Sequence, residues 1–203
     1  MKKLRGLTWS NMTSVAMTSK NVMTRACLLL LCGAFGCGIA AEPDLSSWSR
    51  VGDEELTVDG NSAAAGAHED STYLVSTEQY GDMKMSVEFL IEADTNSGIY
   101  IRCSDPAAIN PDDCYEINIW DDHPNQDSRT GSIVRMAKPL AHVNTVGKWS
   151  VMEIEAVGNL IVVQVNGVET ARFSNDRSLS GHVALQFGAG GSLQFRNVTV
   201  EAL

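Results

Sequence analysis

The sequence predicts an all-β domain of the sandwich or jelly-roll kind. Three observations carry this expectation. Short segments rich in β-branched and aromatic residues recur from about residue 72 onward, separated by Gly, Asn, Asp and Pro. Several of them alternate apolar and polar residues, which marks strands with one buried face. No stretch of that region keeps a helical period for a useful length, and the even spacing of the segments suits a sandwich.

The elements follow in order. Residues 72–76 open the series with Tyr73, Leu74 and Val75. Residues 83–93 place Met85, Val87, Phe89 and Ile91 on one face and Ser86, Glu88, Leu90 and Glu92 on the other. Residues 97–103 (SGIYIRC) and 115–120 (YEINIW) flank a short loop with two prolines, Pro106 and Pro111. In the second of these strands Ile117 and Ile119 oppose Glu116, Asn118 and Trp120. Residues 131–136 (GSIVRM) read as a further short strand. Residues 149–156 and 160–165 reverse at Gly158-Asn159, and Asn166-Gly167 forms a two-residue hairpin turn to residues 168–173. In residues 182–187, Val183, Leu185 and Phe187 oppose His182, Ala184 and Gln186; residues 193–201 complete the set. One sheet is thus expected to have an apolar inner face and a polar outer face, and curvature would turn the polar side into a concave groove.

Residues 1–41 carry Lys2, Lys3, Arg5, Lys20 and Arg25 and no acidic residue. An apolar run from Ala26 to Phe35 contains Leu28 to Leu31, and small residues lead to Ala40-Ala41. This pattern predicts a secretory signal peptide over 1–41, with Met12, Met17 and Met23 as alternative starts. The run is too short, and too interrupted by Gly, for a transmembrane segment. Cleavage near Ala40 or Ala41 fits better than lipidation at Cys37, because Phe35 and Ala34 suit a lipoprotein signal poorly. The expectation is an exported protein, periplasmic or extracellular, with a single domain over 42–203.

The whole chain has 15 basic and 25 acidic residues, and five of the basic ones leave with the leader. The remainder is strongly acidic, which argues against nucleic acid or an anionic membrane as partner. Of the five cysteines, Cys27, Cys32 and Cys37 lie in the leader, so Cys103 and Cys114 remain. An even pair in an exported chain predicts a disulfide.

The segment Asn96 to Asp122 is the candidate functional site. Tyr100, Arg102, Glu116, Asn118 and Trp120 fall on alternate positions of two adjacent strands. A sheet face that displays these side chains suits a ligand better than it suits a core. Asp121 and His123 stand at the strand end, and Gln186 lies on the polar face of a third strand.

Ordered motifs point to one family. Asp44-Leu45-x-x-Trp48, Asn96-Ser97-Gly98-Ile99-Tyr100-Ile101-Arg102 and Tyr115-Glu116-Ile117-Asn118-Ile119-Trp120-Asp121 come first. Thr130-Gly131-Ser132-Ile133, Gly147-Lys148-Trp149, Val165-Asn166-Gly167, Gly181-His182-Val183-Ala184-Leu185-Gln186 and Phe195-Arg196-Asn197-Val198 follow. This series resembles the 3-keto-disaccharide hydrolase domain family and spans nearly all of the chain after the leader. The resemblance implies a concanavalin-A-like jelly roll, a carbohydrate partner, and cleavage of glycosides oxidised to a ketone at carbon 3. The chain departs from the family pattern at Asn118, where Gln is usual, at Val134, where Tyr is frequent, and at Ser150, where Asn is common.

A ketone at carbon 3 acidifies the proton on carbon 2, so cleavage by elimination needs a base and a stabiliser for the enolate. The resemblance makes Glu116 the candidate base and Arg102 the candidate stabiliser. Asn118, Gln186 and Tyr100 would contact the sugar, and Trp120 would stack on its ring. Asp121 and His123 would form an acid–base pair or ligate a metal. The competing interpretation of Glu116 and Arg102 is a cross-strand ion pair. The residues name no definite cofactor, a divalent metal is left open, and the oxygen-rich loop from Asp121 to Asp127 lacks regular calcium-ligand spacing. There is no Ser-His-Asp signature, cysteine nucleophile context or phosphate loop. The alternative function is a non-catalytic carbohydrate-binding module of the same fold.

Overall fold

Two antiparallel sheets form the domain in this computed structural model, which describes residues 42–203. The expected leader and its cleavage site lie outside the described residues. The strands are β1 (Ser49–Val51), β2 (Thr57–Asp59), β3 (Ser62–Ala65), β4 (Thr72–Val75), β5 (Met83–Ile91), β6 (Ser97–Cys103), β7 (Tyr115–Ile119), β8 (Ser150–Val157), β9 (Leu160–Val165), β10 (Val168–Ser174), β11 (His182–Phe187) and β12 (Leu193–Ala202). A five-stranded sheet runs β1-β4-β11-β6-β7, and a seven-stranded sheet runs β10-β9-β8-β5-β12-β3-β2. Neighbours in space are mostly not neighbours in sequence, as a jelly roll requires.

Alternation along each strand builds the core. Met83, Met85, Val87, Phe89 and Ile91 of β5 point inward, as do Ile99 and Ile101 of β6, Ile117 and Ile119 of β7, and Val183, Leu185 and Phe187 of β11. The Phe187 and Phe195 rings meet edge to face at 5.3 Å between the sheets. Each such side chain contributes about 1.5–3 kcal/mol on burial, and together they fix which face of each strand looks outward.

Three strands escaped the sequence pattern and one expected strand did not form. β1, β2 and β3 span only three, three and four residues, and β3 reads Ser-Ala-Ala-Ala, with no β-branched side chain to mark it. Residues 131–136 form a looped cover instead of a strand. The amides of Gly131 and Val134 donate to the Asn118 and Glu116 carbonyls at 2.9 Å each, and Asn118 N–H donates to Ser132 O at 3.0 Å. This segment satisfies the outer edge of β7, where an open edge would otherwise pair with another chain.

One irregularity in β6 decides the site. Ala184 pairs with Tyr100, yet His182 pairs with Cys103, so β6 carries one extra residue between these points. Arg102 sits in the bulge with φ 57. Gly181 lies against it, where a Cβ would come within 2.5 Å of the Arg102 carbonyl carbon.

Candidate functional site

The outward face of the five-stranded sheet is built from two cross-strand rows. In one, Tyr73 of β4 faces Gln186 of β11, Gln186 faces Gly98 of β6, and Gly98 faces Asn118 of β7. In the other, Val75, Ala184, Tyr100 and Glu116 follow in the same strand order. The expected contact residues Tyr100, Glu116, Asn118 and Gln186 therefore share this face. Each is buried, with Glu116 at 8% exposure the most open. The face is thus partly covered, not the solvated polar surface its composition suggests. Tyr100, Ala184, Val75 and Ile109 pack there with Cys103 and Cys114, which form a disulfide. The bulge turns Cys103 outward, and the expected cysteine pairing follows from that placement.

Gln186 ties two neighbours together on this face. Gln186 Nε2 donates to Ser71 Oγ at 3.2 Å and to Tyr73 Oη at 3.3 Å. The Tyr73 and Tyr100 rings meet edge to face with centroids 5.6 Å apart, and Tyr100 stands directly across from Glu116.

Burial pushes the Glu116 carboxyl above its ordinary value, and the Tyr100 hydrogen bond and the Arg135 charge partly oppose this. Burial also raises the Tyr100 phenol, with the Glu116 charge adding to the effect, so Tyr100 keeps its proton. Arg135 is exposed and paired with Asp112 at 2.8 Å. It is the cation whose charge reaches Glu116.

Gly98 lets these groups close in where a side chain would be crowded. A Cβ at this position would lie 3.2 Å from the Ile117 carbonyl oxygen and 3.3 Å from both Gln186 Oε1 and Glu116 Cγ. Gln186 Oε1 and Asn118 Oδ1 are buried and have no hydrogen-bond partner. Asn118 Nδ2 is already committed to Ser128 O.

Three expected site residues stand elsewhere. Arg102 is fully buried, donates to Ser178 O at 3.3 Å and lies 3.9 Å from Asp82. The bulge inverts its parity, so it belongs to the neighbourhood of Asp82 and Tyr115 and not to that of Glu116. Asp121 is buried and holds the 143–146 loop: it accepts from Thr145 N–H, from Thr145 Oγ1 at 3.0 Å and from Val146 N–H at 3.2 Å, with Arg129 at 3.8 Å. His123 is tied by Nδ1 to the backbone of Asn125 at 2.8 and 3.0 Å and meets the Trp120 ring edge to face at 4.5 Å. No Asp121–His123 pair forms. Trp120 follows the end of β7, half-buried, with its indole N–H buried and unpaired. Among the described residues, no group of three or more His, Cys, Asp and Glu side chains is placed to hold a metal ion.

Tyr73, Gly98 and Arg135 were missed by sequence reasoning. Tyr73 had a signal, since it alternates with Leu74 as Gln186 does with Leu185; its partner strand was not legible. Arg135 had none, because it lies within the looped cover of β7 with φ 63.

The comparisons agree with this architecture. A family model described as the 3-keto-alpha-glucoside-1,2-lyase-like domain matches residues 41–201. Two Parabacteroides distasonis structures provisionally designated glycosyl hydrolase superpose with TM-scores of 0.63 and 0.67, at 22% and 17% identity. The first match covers 73% of this chain and 90% of the other; the second covers 80% and 91%. The carbohydrate-binding module CBM66 from Bacillus subtilis superposes with a TM-score of 0.57 at 15% identity, covering 76% of this chain and 95% of that one. At these identities the likeness is one of fold. No curated protein matches the chain.

Proposed function

Because the chain belongs to the 3-keto-alpha-glucoside-1,2-lyase-like domain family, a carbohydrate-active family, we propose that it cleaves glycosides carrying a ketone at carbon 3, with Glu116 as the base. The observation that supports this most is the Tyr100–Glu116 pair on a buried sheet face. A buried carboxylate with a raised pKa is a stronger base than an exposed one.

In the proposed sequence Glu116 takes the proton from carbon 2, and the C–H electrons pass into an enolate spanning carbons 2 and 3. The enolate then collapses: the ketone re-forms, a double bond forms between carbons 1 and 2, and the bond from carbon 1 to the aglycone oxygen breaks. The departing oxygen takes a proton, for which the newly neutral Glu116 is the nearest acid. Water adding across the double bond completes a net hydrolysis. Tyr100, held protonated, supplies an O–H donor beside the developing charge. Arg102 has no part in this scheme.

A binding-only role on the same face is the second reading. It is favoured by the absence of Arg102, Asp121 and His123 from the face, which leaves Glu116 as the one carboxylate among the expected residues there. Purified protein incubated with a 3-keto-glucoside separates the two. Consumption that Glu116→Gln abolishes supports cleavage. Saturable sugar binding without turnover, unchanged by Glu116→Gln, overturns it.

We also propose export with removal of residues 1–41. Amino-terminal sequencing of protein recovered outside the cytoplasm would find a start near Ala41 or Glu42; an intact leader in the mature protein would sink the proposal.

A further inference from the structure

We infer that the chain has a second carbohydrate site, an open groove on the outer face of the seven-stranded sheet that takes a neutral oligosaccharide chain. It goes beyond the proposed cleavage and does not use Glu116, which stands on the other sheet.

Strand alternation builds the groove. Ala63 and Ala65 of β3 and Leu193 and Phe195 of β12 point into the core. Ala64, Gln194 and Arg196 therefore point outward. Gln194 pairs with Ala64, and Ala64 pairs with Thr57 of the edge strand β2. Two cavities meet over this row. One of about 620 Å³ extends to Arg50 and Glu55, and one of about 230 Å³ extends to Asp59, Trp149 and Arg196. Thr57, Ala64 and Gln194 line both, so the two form one continuous groove. Together they have the size of a small-molecule site. The Ala64 methyl is the floor, and any long side chain at position 64 would stand in the middle of it.

The lining is reachable. Thr57, Asp59 and Gln194 are exposed, and Ser62 is half-buried. They bring two hydroxyls, a carboxylate and an amide to one short stretch. That mixture both donates and accepts hydrogen bonds. One wall is stiff. The Arg196 guanidinium lies 3.6 Å from the centre of the Trp149 ring. Its Nε donates to Glu88 Oε2 at 2.8 Å, and its Nη2 lies 2.7 Å from the same oxygen. A guanidinium stacked on an indole and held along one edge keeps its plane, and Nη1 remains to donate.

The chemistry of the lining names the ligand. Arg196 is already neutralised by Glu88, and Glu55 lines the same end as Arg50. The groove thus offers no surplus cation for a carboxylate or phosphate ligand. Asp59, Gln194 and the two hydroxyls suit the vicinal hydroxyls of a sugar, while the Trp149 ring and the alanine floor suit its C–H faces. A groove open along its length passes a chain, whereas a closed cavity takes one unit. A chain held there leaves the Glu116 face free and raises the local concentration of sugar around it.

Calorimetry on the purified protein with maltohexaose, cellohexaose and laminarihexaose tests the site. These neutral glucans cover curved and flat chains. Saturable binding of at least one is expected. Asp59→Ala and Gln194→Ala, both at exposed positions, weaken it about 5- to 10-fold each, the worth of one hydrogen bond. Ala64→Phe fills the floor and removes binding. Thermal melting checks the fold of each variant, and the two exposed substitutions decide the matter if Ala64→Phe does not fold. Binding of none of the three sugars, or binding indifferent to these substitutions, overturns the inference. None of the probes carries a ketone, so that outcome leaves the proposed cleavage standing, and failure to cleave a 3-keto-glucoside leaves the groove standing. A dimer in analytical ultracentrifugation that Ala64→Phe dissociates would assign the groove to a second copy of the chain and overturn the inference as well.

Discussion

Tyr100 on β6 and Glu116 on β7 stand directly opposite each other on a face where both are buried, and each influences the other's proton. The pairing has two opposed consequences for the carboxylate. Burial holds its proton more tightly, and the phenol O–H stabilises the charged form. The balance lies on the raised side, which keeps Glu116 basic without leaving its charge unsupported.

Tyr100→Phe removes the phenol that lowers the Glu116 value, so the carboxyl moves higher still. A base works only when deprotonated, so activity rises as pH passes through its pKa. The acidic limb of the kcat/KM profile is therefore expected to shift to higher pH in Tyr100→Phe, with a loss of about tenfold or more on the plateau from the missing donor. An unshifted limb would remove Glu116 from the role of base.

Glu116→Gln should stabilise the protein near neutral pH. The folded-state pKa is raised above 4.5, so the folded protein holds this proton more tightly than the unfolded chain does. That contribution is fully present below the ordinary value and is lost as pH rises through the raised one. Gln stays neutral throughout and escapes the loss. The expected gain is about 1–3 kcal/mol at neutral pH, the range for burying a polar group without full compensation. The gain fades toward zero at acid pH. Thermal melts of both proteins across this pH range decide it; a constant difference would contradict the assignment.

Arg102→Met tests the bulge. The guanidinium is fully buried, its Nε and Nη2 lack hydrogen-bond partners, and burial pushes its pKa below the ordinary value. Replacing a poorly satisfied buried charge by an apolar side chain is neutral or stabilising, by up to about 4 kcal/mol. Turnover of the keto-glucoside is expected to stay near wild type. A selective fall in kcat with an unchanged melting temperature would return Arg102 to the site.

Reducing the Cys103–Cys114 bond, or replacing both residues by Ser, releases a loop spanning a sequence separation of 11. The chain-entropy account puts the loss at roughly 2–3 kcal/mol. The disulfide packs against Tyr100 and Ala184 on the site face, so substrate affinity is expected to weaken along with stability. A melting temperature indifferent to reductant would refute this.

Much of the site was legible because strand periodicity is local. Ile117 and Ile119 against Glu116 and Asn118 needed only alternation, and the structure keeps that division. Gln186 opposite Leu185 followed in the same way. Asp121 and His123 drew attention because their residue types suit chemistry, whereas their partners in the fold are a loop 24 residues away and a turn beside them. Neither partner leaves a trace in spacing.

The amino-acid sequence by itself determined the fold class, the family, the inward and outward faces of the regular strands, and the two cysteines free to pair. These depend on period and composition, which any stretch of chain carries within itself. The tertiary structure alone decided three further matters. Strand order brought Tyr73 of β4 and Gln186 of β11 beside Tyr100 and Gly98 of β6. The 131–136 segment closed the β7 edge. A single extra residue in β6 turned Arg102 away from Glu116 and Cys103 toward the face. Because side chains alternate with a period of two, one inserted residue reverses every orientation beyond it, and only the register with β11 reveals where that reversal falls.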